Sequence, residues 1–298
     1  MAEPMVRSPG PMPFRLLLDE AIRQARRHFR ALYPWVAVPL AVATTLTAVV
    51  QALWISRLTA NSGASRMPFW APQVYLLALV NAGLITIAVM ALQVGTIAAL
   101  TDRPVEMKRA WRFALQGKVL IILLLCGVLE IASVLCCCFP ALFVIPLLSF
   151  VSPVMAQEGR FGFASISRSA ELAMYDPGRG FFERPLVKVL LFLVVGVLLS
   201  YILGLLVALP FQIPMWIDMF RSAAAGEDMV QRMPTWLWLQ VPAQFLNALV
   251  SSAIYLYMCF GISLLYFDTR ARKEGADLLG EIDAIFGGPP PPPGDQPL

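Results

Sequence analysis

The chain has 298 residues, of which 58% are hydrophobic and 14% charged, with a formal net charge of +4. A soluble domain carries about 25% charged residues, so this chain cannot hide its apolar surface in one water-soluble core, and lipid is the expected solvent. One histidine, His28, and five cysteines without paired C-x-x-C spacing give no zinc-type ligand set and imply no cofactor.

The first predicted element is a basic amphipathic helix over Phe14–Leu32. Phe14, Leu17, Leu18, Ala21, Ile22, Ala25, Phe29 and Leu32 recur at three- and four-residue spacing, which is one helical face. Arg15, Arg23, Arg26, Arg27 and Arg30 fall mostly elsewhere, and Pro13 and Pro34 bracket the segment. Beside a membrane span such a helix is expected to lie in the interface against anionic headgroups, each arginine contributing about 1 kcal/mol. Arg23, Arg26, Arg27 and Arg30 are therefore candidate lipid-interface residues. The apolar run behind it is too long for a cleavable signal and reads as an anchor.

A bilayer-spanning helix needs about 20 mostly apolar residues. Six segments qualify: Tyr33–Ile55, Val74–Leu100, Val119–Cys138, Ala141–Ala156, Leu186–Leu209 and Val241–Phe267. The fold class is thus all-α and polytopic. The fourth segment is short and contains Pro146, and Pro140 after Cys136, Cys137 and Cys138 implies a tight hairpin between spans three and four. Pro210 and Pro214 are expected to end the fifth span and start an interfacial segment with Trp216. The cysteines read as small apolar packing residues.

Between spans two and three, Pro104–Lys118 repeats the amphipathic design. Met107, Ala110, Trp111 and Ala114 share a face, with Thr101 or Asp102 placed to cap it. Lys108, Arg109 and Arg112 join the candidate lipid-interface set. Gly162–Met174 is a third copy, with Phe163, Ile166, Ala170 and Ala173 set against Ser165, Ser167 and Arg168. The Ala-x-x-x-Ala steps at 21/25 and 110/114 hint at an internal repeat.

Positive charge orients the chain. Arg7, Arg15, Arg23, Arg26, Arg27 and Arg30 precede span one. Arg103, Lys108, Arg109, Arg112 and Lys118 follow span two. Arg160, Arg168, Arg179, Arg184 and Lys188 follow span four, and Arg270, Arg272 and Lys273 follow span six. The opposite side holds only Arg57, Arg66, Arg221 and Arg232. Positive charge stays cytoplasmic, so both termini are expected inside. Span four must cross for the third cluster to fall with the others.

Glu130 lies near the middle of span three. A charge there costs at least about 2.5–3.5 kcal/mol on insertion scales. It reads either as part of a proton or substrate path or as a neutral acid hydrogen-bonded to Gln51, Asn81 or Asn247. Asp268, Arg270, Arg272 and Glu274, with Lys273, stand where span six leaves the bilayer. They read either as a salt-bridged latch to the basic helices or as a headgroup or partner site. Residues 1–278 form the membrane domain and 279–298 a tail. Its Gly287–Leu298 part carries five consecutive prolines and reads as a polyproline spacer.

Three segments carry a resemblance. LLYFDTRARKEGADLL (Leu264–Leu279) places Tyr266, Asp268, Arg270, Arg272, Glu274 and Gly275 in a Tyr-x-Asp-x-Arg-x-Arg-x-Glu-Gly pattern. SPVMAQEGRFGFASISRSAEL contains the Glu158–Gly159 step and Ser167–Ser169, and FRLLLDEAIRQARRHFRAL opens the chain. Together they resemble the bacterial family called the glycerophosphoryl diester phosphodiesterase membrane domain, over nearly the whole chain. The resemblance implies a bacterial inner-membrane fold. It does not imply phosphodiesterase activity, because the catalytic domain of such enzymes needs paired histidines with Glu and Asp around a divalent metal.

The resulting expectation is a non-catalytic inner-membrane scaffold or accessory subunit. Its partners would be anionic lipid headgroups and a membrane or envelope protein, without nucleic acid. The second expectation is a small transporter or channel component using Glu130, and the third an intramembrane lipid enzyme. A water-accessible cavity reaching Glu130 separates the second from the first.

Overall fold

The computed structural model describes residues 13–62, 72–136, 140–175, 180–226 and 229–286. Its elements are α1 (Phe14–Ser62), α2 (Pro72–Leu100), α3 (Met107–Ala114), α4 (Gly117–Leu135), α5 (Ala141–Leu148), α6 (Val151–Glu158), α7 (Phe163–Ala173), a 3₁₀ turn (Phe181–Glu183), α8 (Pro185–Ala224) and α9 (Met229–Phe286). No strand occurs among the described residues. Among the described residues six helical segments are long and apolar enough to cross a membrane: Phe14–Arg57, Leu76–Leu100, Gly117–Leu135, Ala141–Glu158, Pro185–Ala224 and Thr235–Gly275. The chain is an all-α, multi-pass membrane protein. Its outward faces are apolar, as lipid requires; Leu135 on α4 is 80% exposed.

The most extensive packing joins α1 to α9, then α8 to α9. Two glycines allow the second contact. A Cβ at Gly196 would overlap Met258, and one at Gly261 would overlap the Phe192 ring. Small residues that let helix backbones approach replace the hydrophobic drive that lipid removes.

Three expectations about prolines and helix ends need correction. Pro34 does not end the first amphipathic helix: α1 runs unbroken through Pro34 and Pro39. Pro210 and Pro214 likewise sit inside α8, which continues to Ala224. A proline loses one hydrogen bond at a cost of about 3 kcal/mol, whereas ending a helix strands four carbonyls. Inside an apolar bilayer the second loss is larger, so the helices continue. Span four differs, being two helices, α5 and α6, that meet at Ser149–Phe150. Pro153 cannot donate to the Ser149 carbonyl and its ring crowds it. The backbone tightens there, with Ser149 N–H bonded to the Pro146 carbonyl at 3.3 Å.

The amphipathic faces also shift. Leu17, Ala21, Ala25 and Leu32 are buried in the protein core rather than left for lipid, while Ile22 and Phe29 remain exposed. Thr101 and Asp102 do not cap α3; they terminate α2. Thr101 Oγ1 donates to the Ile97 carbonyl at 2.9 Å. Asp102 takes the left-handed conformation (φ 50°) while Arg103 N–H reaches the Ala98 carbonyl at 2.9 Å, which is the Schellman way of closing a helix. On α7 the buried stripe is Ser165, Ser169, Leu172 and Ala173, with Phe163 outside. Ser165 was expected on the polar face. Its hydroxyl instead bonds the Gly162 carbonyl at 2.7 Å, and that of Ser169 the Leu147 carbonyl of α5. α9 stays helical to Phe286. Arg7, Arg66, Cys137, Cys138, Arg179 and the Gly287–Leu298 tail lie outside the described residues.

Candidate functional site

Two polar constructions stand out, one within the membrane and one at the end where α3, α7 and the C-terminal part of α9 gather. The first is a cleft of about 1060 Å³ walled by α8 and α9, with contributions from α2, α4, α6 and Ser149 at the α5–α6 junction. Along α9 it extends from Gln240 to Ile262, about 33 Å at 1.5 Å per residue, which matches the thickness of a bilayer core. Its lining is unusually polar for that depth: Gln93, Glu130, Ser200, Gln244, Asn247 and Ser251 are among the residues that face it. No Lys, Arg or His lines it among the described residues, and Glu130 is its one carboxylate.

At one end the cleft closes on a self-satisfied cluster. Gln93 Nε2 donates to Ser263 Oγ at 2.6 Å, and Thr96 Oγ1 lies 3.3 Å from the same hydroxyl. All three side chains are buried. Hydrogen bonds of this kind between membrane helices contribute about 0.6–2 kcal/mol. Glu130 is different. It is half-buried and faces the cleft, and its carboxylate makes no hydrogen bond or ion pair with any described residue. Bonds to Gln51, Asn81 or Asn247, one of the two sequence readings, are not made. Asn247 shares the cleft; Asn81 Oδ1 is buried without a partner.

The second construction is built by a turn. α6 ends on Gly159 (φ 66°) and α7 begins after Gly162 (φ 71°), both in the left-handed region that glycine adopts freely. The reversal places Glu158, the last residue of α6, beside Arg168 of α7. The Tyr266 hydroxyl donates to Glu158 Oε1 at 2.8 Å. Arg160 Nε and Arg168 Nε lie 3.2 and 3.5 Å from Glu158 Oε2. Arg168 also reaches Glu171 at 3.2 Å and Glu274 at 3.1 Å. Glu274 accepts from Arg270 at 2.7 Å, and Lys273 pairs with Glu171. On the neighbouring side, Arg272 pairs with Asp268 at 2.7 Å and stands 3.8 Å from Glu183, whose carboxylate holds Lys188 at 3.0 Å.

Arg270 and Glu274 are thus drawn into one network with α6 and α7, and Asp268 and Arg272 into a second with the 3₁₀ turn and α8. The cross-helix partners Glu158, Glu171, Glu183 and Tyr266 were not among the candidate site residues. Lys188, counted with the loop, is buried in the first turn of α8. Glu171 is held below the usual carboxylate range, first by its hydrogen bond from Lys273 and then by Arg168.

The remaining candidates are exposed. Arg23 pairs with Glu20 at 3.2 Å and is 74% exposed. Arg26, Arg27, Arg30, Lys108, Arg109 and Arg112 are all exposed. His28 lies against Phe260 with ring centroids 6.0 Å apart, inside the α1–α9 contact. Among the described residues no group of His, Cys, Asp and Glu is arranged to hold a metal. No family model, no curated protein and no solved structure matches the chain.

Proposed function

We propose that this chain is a small transporter or channel component that takes a neutral or cationic solute, or the head of an amphiphile, into its intramembrane cleft. The observation that carries this reading is the Glu130 carboxylate, unpaired and facing a membrane-deep polar cleft. Unsatisfied ionisable groups within membranes are costly, and they mark pathways and binding sites. Among the described residues no cationic side chain lines the cleft, which disfavours anions. We read the bilayer as the bacterial inner membrane with both termini cytoplasmic, from the arginine distribution and the family resemblance, and the protein as having no catalysis of its own.

Thiol labelling tests the cleft. In a variant with the five native cysteines replaced by serine, Glu130→Cys and Ser251→Cys should react with a water-soluble maleimide in membranes. Leu124→Cys, on the exposed apolar face of α4, should not. Protection of both cleft positions would mean the cleft is filled by lipid or protein, and the reading fails.

A second reading, a scaffold on anionic lipid, is favoured by the exposed arginines of α1 and α3. In it the basic face of the protein organises headgroups while the helices serve as an anchor.

A further inference from the structure

The basic end contains two kinds of arginine. Arg168, Arg270 and Arg272 are each consumed by carboxylates a few ångströms away. Arg103, Arg109 and Arg112 are not. These three line one pocket of about 510 Å³ between the end of α2, α3 and the last turn of α6. None of their guanidinium groups makes a hydrogen bond or ion pair with a described residue. The loop that closes α2 at Asp102 turns Arg103 toward the pocket from one side. α3 brings Arg109 and Arg112 from the other, three residues apart on one face.

One carboxylate, Glu106, also lines the pocket, with Thr101, Gln116 and Gln157 as neutral polar groups. Three guanidiniums against one carboxylate leave two positive charges. The inner wall is apolar, with Val94, Ile97 and Phe113. The pocket sits where the second span ends, at Leu100, and the third begins, at Gly117, which is the depth of lipid headgroups.

We propose that this pocket is a specific binding site for a phosphate group, most favourably a phosphomonoester dianion. Guanidinium pairs bind phosphate oxygens with fixed fork geometry, and basic pockets at the ends of membrane helices hold lipid head groups. The apolar wall and the depth favour a phospholipid as the source, although a soluble phosphate ester offers the same chemistry. The site does not depend on the cleft. It narrows the second reading above, in which arginines meet anionic lipid diffusely, to one pocket.

The test uses the purified full chain in neutral detergent. Phosphatidic acid, phosphatidylcholine and glycerol 3-phosphate are the probes, and native mass spectrometry counts bound molecules. Phosphatidic acid should bind and phosphatidylcholine should not. The triple variant R103Q/R109Q/R112Q should lose binding, with single variants weakened about tenfold each. The control R26Q/R27Q/R30Q makes the same change in charge on α1 and should bind like the parent. Glu106→Gln should tighten binding, which damage to the fold would not do. Displacement of the lipid by glycerol 3-phosphate would assign the site to soluble phosphate esters, and its failure to compete would assign it to lipid. Equal loss in the control would replace the pocket by diffuse attraction and leave the second reading standing. No binding to the parent chain would remove both.

Discussion

The ion network at the basic end and the cleft inside the membrane are both rich in polar groups, yet they are finished differently. In the network nearly every charge meets an opposite charge: Glu158 alone is approached by Tyr266, Arg160 and Arg168. In the cleft a carboxylate stands without a partner among the described residues, with amides and hydroxyls along the same walls. Polar groups that satisfy one another hold helices together, and removing one strands its partners. Polar groups left unsatisfied in an apolar medium cost stability and are retained for what they bind. The comparison therefore predicts opposite responses to substitution in the two regions.

The largest expected effect is at Arg168. Its side chain is 12% exposed and serves Glu158, Glu171 and Glu274, and Glu158 is itself 7% exposed. Arg168→Met removes the hub and leaves Glu158 with the Tyr266 hydroxyl and with Arg160 as its one cation, which is 54% exposed. Breaking a buried pair from one side costs about 3–5 kcal/mol. Loss of monodisperse protein on heating in detergent should fall by many degrees. An unchanged melting curve would mean that the network is surface decoration.

Tyr266→Phe is the next test. The tyrosine is fully buried, and its hydroxyl donates to Glu158 at 2.8 Å and lies 3.4 Å from Arg270. The ring and its packing against Phe150 survive the change, so the loss is that of one donor to a buried carboxylate, about 1–3 kcal/mol. A double-mutant cycle with Arg168→Met should show a summed loss smaller than the two separate losses, because both act on Glu158.

A smaller effect comes with pH. The folded Glu171 carboxyl lies below its ordinary unfolded value, held down by Lys273 and Arg168. Its contribution is therefore complete above that value and is lost as pH falls through the lower folded one. Glu171 is 49% exposed, so solvent screening limits the pair to about 0–1 kcal/mol. Thermal midpoints of the parent and Glu171→Gln should differ slightly at pH 7 and converge as pH falls through the lower folded value. A gap that persists in acid would show that Glu171 acts through packing rather than charge.

Much of this architecture is legible in one dimension. Runs of apolar residues mark the six spans because bilayer thickness sets a length. The pairs Asp268–Arg272 and Arg270–Glu274 can be read off as i,i+4 neighbours on a helix. Their partners across the helices could not, since Glu158 reaches Tyr266 only through the glycine reversal between α6 and α7. Proline misleads here because a rule from water was applied to lipid: Pro34 and Pro210 would end a soluble helix, but in an apolar medium a broken helix costs more than a bent one. The polarity of the cleft was partly visible as Glu130 and Asn247. Gln93, a lone amide in an apolar run, carries the same signal. That these residues share one cavity depends on which helix packs on which, and the arrangement of α8 against α9 turns on Gly196 and Gly261.

The smallest expected change in stability, and the sharpest separation of the two regions, is at Glu130. Glu130→Gln keeps the shape of the side chain and removes its ability to ionise. With no hydrogen bond or ion pair to lose, the variant should melt within about 0.5 kcal/mol of the parent, or higher, since removing an unsatisfied group from a functional site commonly raises stability. Activity should move the other way. In liposomes loaded with a pH-sensitive dye and driven by a potassium diffusion potential, the parent chain should carry a proton or cation flux that Glu130→Gln abolishes. Arg168→Met, where it still folds, should retain flux per folded molecule, because the network does not face the cleft. If Glu130→Gln instead lost more than about 1 kcal/mol, the acid would have a structural partner in the membrane. If flux were identical in both proteins, the carboxylate would not be on a path, and the scaffold reading would be the better account of the chain.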